Sequence, residues 1–71
     1  MIPLPLAPLQ KPLLIVKVLG NEDKIRHLKN LGFYEGQTIK VISNHHGNLI
    51  VSLLDTKCAI DSQLSTKILV R

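Results

Sequence analysis

Apolar residues fall in short strand-length segments along this chain, with one stretch of a three-residue rhythm set between them. Leu13 to Leu19 is apolar except at Lys17 and predicts a strand, with Leu13, Ile15, Lys17 and Leu19 on one face and Leu14, Val16 and Val18 on the other. The only charge falls on the first face, so the Leu14, Val16, Val18 face is expected to point inward. Gly20 ends that strand. Ile25, Leu28 and Leu31 then recur at intervals of three, a narrow apolar stripe of a helix over about Glu22 to Leu31. Asn21 suits its N-cap, because its side-chain oxygen can accept from an unpaired backbone N–H. Glu22 and Asp23 stand where the helix dipole is positive. Gly32 is the expected left-handed residue at the C-terminal end.

The strand-length segments resume after a tight turn. Asn30-Leu31-Gly32-Phe33-Tyr34-Glu35-Gly36-Gln37-Thr38-Ile39-Lys40-Val41 reads as a helix end, a glycine stop, a turn and an amphipathic strand. Gly32 and Gly36, four positions apart, mark two sharp bends. Thr38 to Ser43 and Leu49 to Leu54 are strand candidates, joined by a hairpin loop over Asn44-His45-His46-Gly47-Asn48. Asp55-Thr56 reverses the chain into Lys57 to Ile60. Asp61 can cap a helical turn through Ser65, and Lys67 to Arg71 is a closing strand with Ile68 and Val70 inward. Short strands with tight turns favour a small closed barrel. The expected fold is mostly β: a small five-stranded SH3-like barrel with one helix inserted after the first strand and a short helical turn before the last. An OB-type barrel usually places its helix later in the chain. Residues 1–12 carry Pro3, Pro5, Pro8 and Pro12 and read as an extended arm packed on the barrel, with Leu4, Leu6 and Leu9 against the body of the domain. Residues 13–71 form the domain proper.

With 71 residues the chain allows one domain. Its hydrophobic fraction is 45%, yet Phe33 and Tyr34 are the only aromatics, so Leu, Ile and Val must build the core. Prolines interrupt the apolar start and no basic residue precedes it, which argues against a signal peptide. The longest apolar run is Leu13-Leu14-Ile15-Val16, far short of the roughly 20 residues of a membrane span. A soluble protein is expected. The single cysteine, Cys58, excludes an intrachain disulfide and fits a reducing compartment, most simply the cytoplasm.

The net charge of +4 is spread over scattered lysines, and the one local cluster is Lys24, Arg26, His27 and Lys29. In the blandest reading that cluster is the solvated face of the helix. Catalysis finds little support. Cys58 is expected to be an inert strand thiol, Glu22 and Asp23 serve the helix start, and no glycine loop is built to cradle phosphate. His45 and His46 are weak candidates for a transition metal, since zinc wants three or four converging ligands. A nucleic-acid barrel would need an aromatic platform in a basic groove, and two aromatics at one turn do not make one: by itself Phe33 reads as a core or helix-end contact and Tyr34 as exposed.

Leu28 through Gly36 matches the Leu-x-x-Leu-Gly-[Leu/Phe]-x-x-Gly core of the FeoA family, and the rest of the chain follows that family's order. Leu6-Ala7-Pro8-Leu9-Gln10-Lys11 resembles its opening, Ile15-Val16-Lys17-Val18 with Gly20 its first strand, and Gly47-Asn48-Leu49-Ile50-Val51-Ser52 its middle hairpin. Ala59-Ile60-Asp61 and Lys67-Ile68-x-Val70 resemble its ending. Cys58 departs from the pattern, standing where Ile or Val is common, and so reads as a substitute for a strand residue rather than a ligand. The resemblance implies a non-enzymatic cytoplasmic accessory of ferrous iron uptake that requires no cofactor. It would dock on the cytoplasmic side of a FeoB-type membrane iron transporter, which carries a GTP-binding domain, without entering the membrane or binding nucleic acid. The expected docking residues are Lys24, Arg26, His27 and Lys29, which could meet an acidic surface, with Phe33 and Tyr34 as apolar anchors. The family is also similar to the C-terminal barrel of iron-dependent repressors. That likeness keeps two alternatives in view, a metal-responsive module using His45 and His46 and, third, an RNA-binding barrel. Apolar strand edges leave a homodimer open.

Overall fold

The computed structural model describes all residues 1–71. Its elements in chain order are β1 (Ile2–Pro3), a 3-10 turn (Leu4–Leu6), β2 (Leu13–Val18), α1 (Glu22–Asn30), β3 (Thr38–His45), β4 (Asn48–Leu53), β5 (Thr56–Ile60), α2 (Ser62–Ser65) and β6 (Ile68–Val70). The strands form one antiparallel sheet in the order β1-β6-β2-β3-β4-β5. Its inner face wraps a core of 15 buried apolar residues, drawn almost wholly from Leu, Ile and Val, with Phe33 the single aromatic.

Six strands form rather than five, because the start of the chain pairs instead of merely lying on the barrel. Ile2 and Pro3 align with Val70 and Leu69 of β6. Pro3 is tolerated there because β1 is an edge strand. Leu4 then drops into the core, fully buried, whereas Leu6 and Leu9 stay exposed. The Gln10 N–H donates to the Val41 carbonyl at 2.8 Å, tying the proline-rich segment across β3.

The inner face of β2 differs from the expected one. Leu13 and Ile15 are buried while Leu14 and Val16 are only half-buried, yet Val18 is buried and Lys17 exposed. Both faces are thus used in turn. The cause is a register shift against β6 between Ile15 and Lys17. A bulge adds one residue to the strand and reverses the side-chain alternation beyond it. Ile15 can therefore point inward without dragging Lys17 into the core. A second shift, between Val41 and Ser43, interrupts the pairing of β3 with β4.

The hairpin between β3 and β4 is tighter than the expected five-residue loop. His45 pairs with Asn48, leaving His46 and Gly47 as the turn, both at positive φ. Two consecutive left-handed residues are the signature of the turn whose twist suits a hairpin. This tip is bolted to its surroundings. The Asn44 side chain accepts from Gly47 N–H at 2.9 Å and donates to the Pro5 carbonyl at 2.8 Å. Asn48 Oδ1 accepts from Ser62 N–H, and the buried Ser65 hydroxyl donates to the Gly47 carbonyl at 2.7 Å. The next reversal falls on Leu54-Asp55, with Leu53 paired to Thr56, one residue earlier than expected. The α2 turn is capped by Asp61, whose carboxylate accepts from Leu64 N–H, and Ile68 and Val70 are fully buried as their alternation predicts.

A methyl group on Gly47 would stand 2.9 Å from Ser62 Cβ on a backbone already at φ 86°. Gly47→Ala is therefore expected to destabilise by at least about 1 kcal/mol from the backbone term alone, with the clash adding to it. Ser65→Ala leaves the Gly47 carbonyl without its buried donor and should cost ~1–2 kcal/mol. Urea denaturation midpoints measure both, and a Ser65→Ala midpoint equal to the parent's would refute the bolted tip.

Candidate functional site

Helix α1 and the glycine turn after it build the most distinctive surface of the molecule. The helix starts as its residues require, with Asn21 Oδ1 accepting from Lys24 N–H at 2.9 Å and Glu22 and Asp23 in the first turn. It ends in a Schellman motif. Gly32 N–H donates to the Lys29 carbonyl at 3.0 Å, and Phe33 N–H reaches back to the Leu28 carbonyl at 2.8 Å. Gly32 takes the left-handed conformation, φ 104°, that this closure demands. The motif commonly brings together the two side chains at its ends, and Leu28 and Phe33 are both completely buried.

Four residues on, the Gln37 N–H donates to the Tyr34 carbonyl, closing a β-turn with Gly36 at φ 90° in its third position, as a type II turn requires. Ile15 clamps this turn from β2: its carbonyl accepts from Gly36 N–H and its N–H donates to the Gln37 carbonyl, at 2.8 and 2.9 Å. The Gln37 side chain donates to the Tyr34 hydroxyl at 3.0 Å and so orients the exposed ring.

Between helix and turn lies an open cleft of about 350 Å³ lined by Val18, Ile25, Lys29, Phe33, Tyr34 and Glu35. Ile25 and Tyr34 are 37% and 41% exposed, so the cleft offers apolar surface flanked by one positive and one negative side chain. Of the expected helix stripe only Leu28 is buried; Ile25 and Leu31 are left partly outside. The helix touches the barrel along a single line, because one buried residue and its C-terminal closure suffice to hold it.

The expected docking residues are distributed differently from the expectation. Phe33 is 0% exposed and belongs to the core; it forms the floor of the cleft but is not a projecting anchor. Tyr34 is exposed. Lys24, Arg26, His27 and Lys29 are all exposed, but they do not share one face. Successive helical residues are about 100° apart, which sets Arg26 about 60° round the helix from Lys29, the basic residue that lines the cleft, and Lys24 and His27 about 140° and 160° from it, by Leu31. Arg26 also makes a 3.4 Å contact with Asp23 in which both side chains are largely solvated, an ion pair of little energetic weight. The split is a consequence of 3.6-residue periodicity that a string of neighbouring basic letters conceals. The apolar residues Ile25 and Val18, which complete the cleft, were not among the expected site residues; the half-empty stripe at Ile25 was the signal available for the first of them.

His45 and His46 sit at the hairpin tip with ring centroids 5.9 Å apart and rings at 76°. No third His, Cys, Asp or Glu joins them, and the molecule has no group of three such side chains that could hold a metal ion. The pair alone falls short of the three or four ligands that zinc takes. Cys58 is half-buried against the core, near the edge of the sheet rather than within it. No helix is long and apolar enough to cross a membrane.

Fold and site together define a small SH3-like β domain with an open cleft between its helix and the glycine turn. A family model described as the FeoA domain matches residues 2–71, and the chain belongs to the FeoA family. A crystal structure of an iron uptake regulatory protein, FeoA, is 28% identical, covers 99% of this chain and 95% of its own, and superposes with a TM-score of 0.90. FeoA of Stenotrophomonas maltophilia, complexed with zinc and described as a prokaryotic SH3-domain protein suggested to activate bacterial ferrous iron transport, is 26% identical over 96% of this chain and 87% of its own, with a TM-score of 0.77. ScaR with bound zinc shares the fold at 17% identity and TM-score 0.86, this chain spanning 36% of its length. No curated protein sequence matches the chain.

Phe33→Ala removes the central aromatic of the core. It is expected to cost about 3–5 kcal/mol, comparable to the whole net stability of roughly 3–5 kcal/mol for a domain of this size, so the variant should be largely unfolded by circular dichroism. Tyr34→Ala, on the exposed side of the same turn, should shift the thermal midpoint by only a few degrees, equivalent to less than about 1 kcal/mol. A folded Phe33→Ala variant would contradict the core assignment.

Proposed function

We propose that this protein is a cytoplasmic accessory of ferrous iron transport that works by docking, not by catalysis, on the cytoplasmic side of a FeoB-type membrane iron transporter. Membership of the FeoA family supports the transport role. The observation that carries the docking mode is the cleft between α1 and the glycine turn, where the partly exposed Ile25 and Tyr34 stand beside Lys29. Apolar side chains held on a rigid turn lose little freedom on binding, and a neighbouring charge selects the partner and its orientation. Tyr34 suits the role of anchor because its ring is large and its hydroxyl is already held by Gln37. Lys29 lines the cleft and Arg26 lies next to it round the helix, and these two would meet acidic groups of the transporter's cytoplasmic domain. Lys24 and His27, turned the other way, would not.

The metal-responsive reading has narrower support: a zinc-complexed relative and a shared fold with ScaR, against a two-histidine tip with no third ligand. Titration with ferrous, zinc and manganese ions, repeated on a His45→Ala, His46→Ala variant, separates it from the docking reading.

The docking reading predicts a sided effect of charge. Arg26→Glu with Lys29→Glu should weaken binding to the transporter's cytoplasmic domain about tenfold or more, about 1.4 kcal/mol, while Lys24→Glu with His27→Glu should change it far less. Calorimetric titration of the four-residue set in these two pairs makes the comparison. Equal effects from the two pairs would show that net charge, not the cleft side, governs association, and no binding by the parent would overturn the reading.

A further inference from the structure

The sheet has two ends of unequal character. One is β1, two residues long and containing Pro3, which has no N–H to offer. The other is β5, five residues long and paired on one side only, to β4. The register shows which of its backbone groups are idle. Leu53 and Thr56 close a two-residue turn and exchange ladder bonds, so by antiparallel alternation Thr56, Cys58 and Ile60 direct their N–H and C=O groups toward β4. Lys57 and Ala59 direct theirs away from the sheet. Both residues are exposed, and neither takes part in any backbone hydrogen bond outside the strands or any side-chain hydrogen bond. Beyond Ile60 the edge stops, because the Asp61 carbonyl accepts from Ser65 N–H and its carboxylate from Leu64 N–H.

We propose that this edge pairs with β5 of a second copy of the chain, antiparallel, about a two-fold axis through Cys58. The pattern is self-complementary. Lys57 of one copy lies opposite Ala59 of the other, and each such pair exchanges two hydrogen bonds, so all the idle groups of both edges are satisfied at once. Charge selects this register. Centring the axis on Lys57 would set two lysines face to face, and like charges directly opposite are unfavourable. Centring it on Ala59 would call on Asp61, whose acceptors are already engaged in capping α2. On the outer face the chosen register lines up Ile50 and Ala59 of one copy with Lys57 of the other. Ile50 is 44% exposed, and the apolar stem of that lysine can lie toward it. The lysine that would guard an isolated edge thereby becomes part of the contact. The interface is small, so association is weak and concentration-dependent.

Cys58 reports the register without being needed for the pairing. On the axis it faces its own copy in a non-hydrogen-bonded pair, with Cα atoms about 4.5 Å apart, inside the roughly 4.4–6.8 Å that a disulfide spans. The test uses the purified full chain and diamide, which takes two hydrogens from two thiols to leave one disulfide and is itself reduced to the hydrazine. The unmodified chain should show a reversible monomer–dimer equilibrium by sedimentation and a covalent dimer after diamide. Ala59→Pro removes an outward N–H while leaving the β4 ladder whole, and should abolish both. Thr56→Cys combined with Cys58→Ala moves the thiol off the axis, where the two copies lie roughly 13 Å apart along the strand, and should sediment as the parent does yet fail to cross-link. A parent chain that stays monomeric at every concentration overturns the proposal, as does cross-linking of the relocated thiol or of Ala59→Pro at the parent's rate.

Discussion

One closure holds the helix and its cleft together: the hydrogen bond from Phe33 N–H back to the Leu28 carbonyl across the left-handed Gly32. It ends the helix, reverses the chain and delivers Phe33 to the core beside Leu28 in a single step. A β-carbon on Gly32 would meet Leu53 at 3.2 Å on a backbone that side chains rarely adopt, so glycine is required there on two counts. A helix of nine residues has little stability of its own. With only Leu28 buried along its length, α1 depends on this closure for its position, and the cleft beside it depends on α1.

The economy of that arrangement explains the surface it leaves. A helix attached by one buried residue and its capping motif exposes nearly everything else it carries, including Ile25 and all four basic side chains. The second turn, clamped by both backbone groups of Ile15, fixes Tyr34 on the opposite wall. A tyrosine held on a clamped turn across from a half-exposed isoleucine on the helix is the surface on which the proposed docking rests. That geometry is why docking is the natural reading of a chain with no clustered ligands and no nucleophile–base pair. Stiffness at the far end comes from different means, a hairpin tip fastened by Asn44, Asn48 and Ser65 to the arm and α2.

Two departures from regular alternation shape the barrel. The bulge in β2 lets Ile15 serve the core and clamp the glycine turn while Lys17 stays in water. The shift in β3 falls at Val41, whose carbonyl accepts from Gln10 and so fastens the proline-rich start of the chain. Bulges bend strands and raise their twist, and a sheet this short needs both to wrap a core.

Much of the fold was legible from local chemistry alone. Asn21, Asp61 and Gly32 act within one turn of themselves, and Ile68 and Val70 obey an uninterrupted alternation, so each could be placed by reading neighbours. The family likeness rested on the glycine turn together with the order and spacing of the segments around it. What the sequence could not determine depends on partners distant along the chain. The inner face of β2 turns on a bulge set by the strand opposite, and the sixth strand on the pairing of Ile2 and Pro3 with residues almost seventy positions away. The basic cluster looked like one surface because adjacency in sequence is not adjacency on a helix. Phe33 and Tyr34 are neighbours with opposite fates, one sealed in the core and the other in solvent. The sequence suggests which is which, and the direction in which the chain leaves the Gly32 closure fixes it.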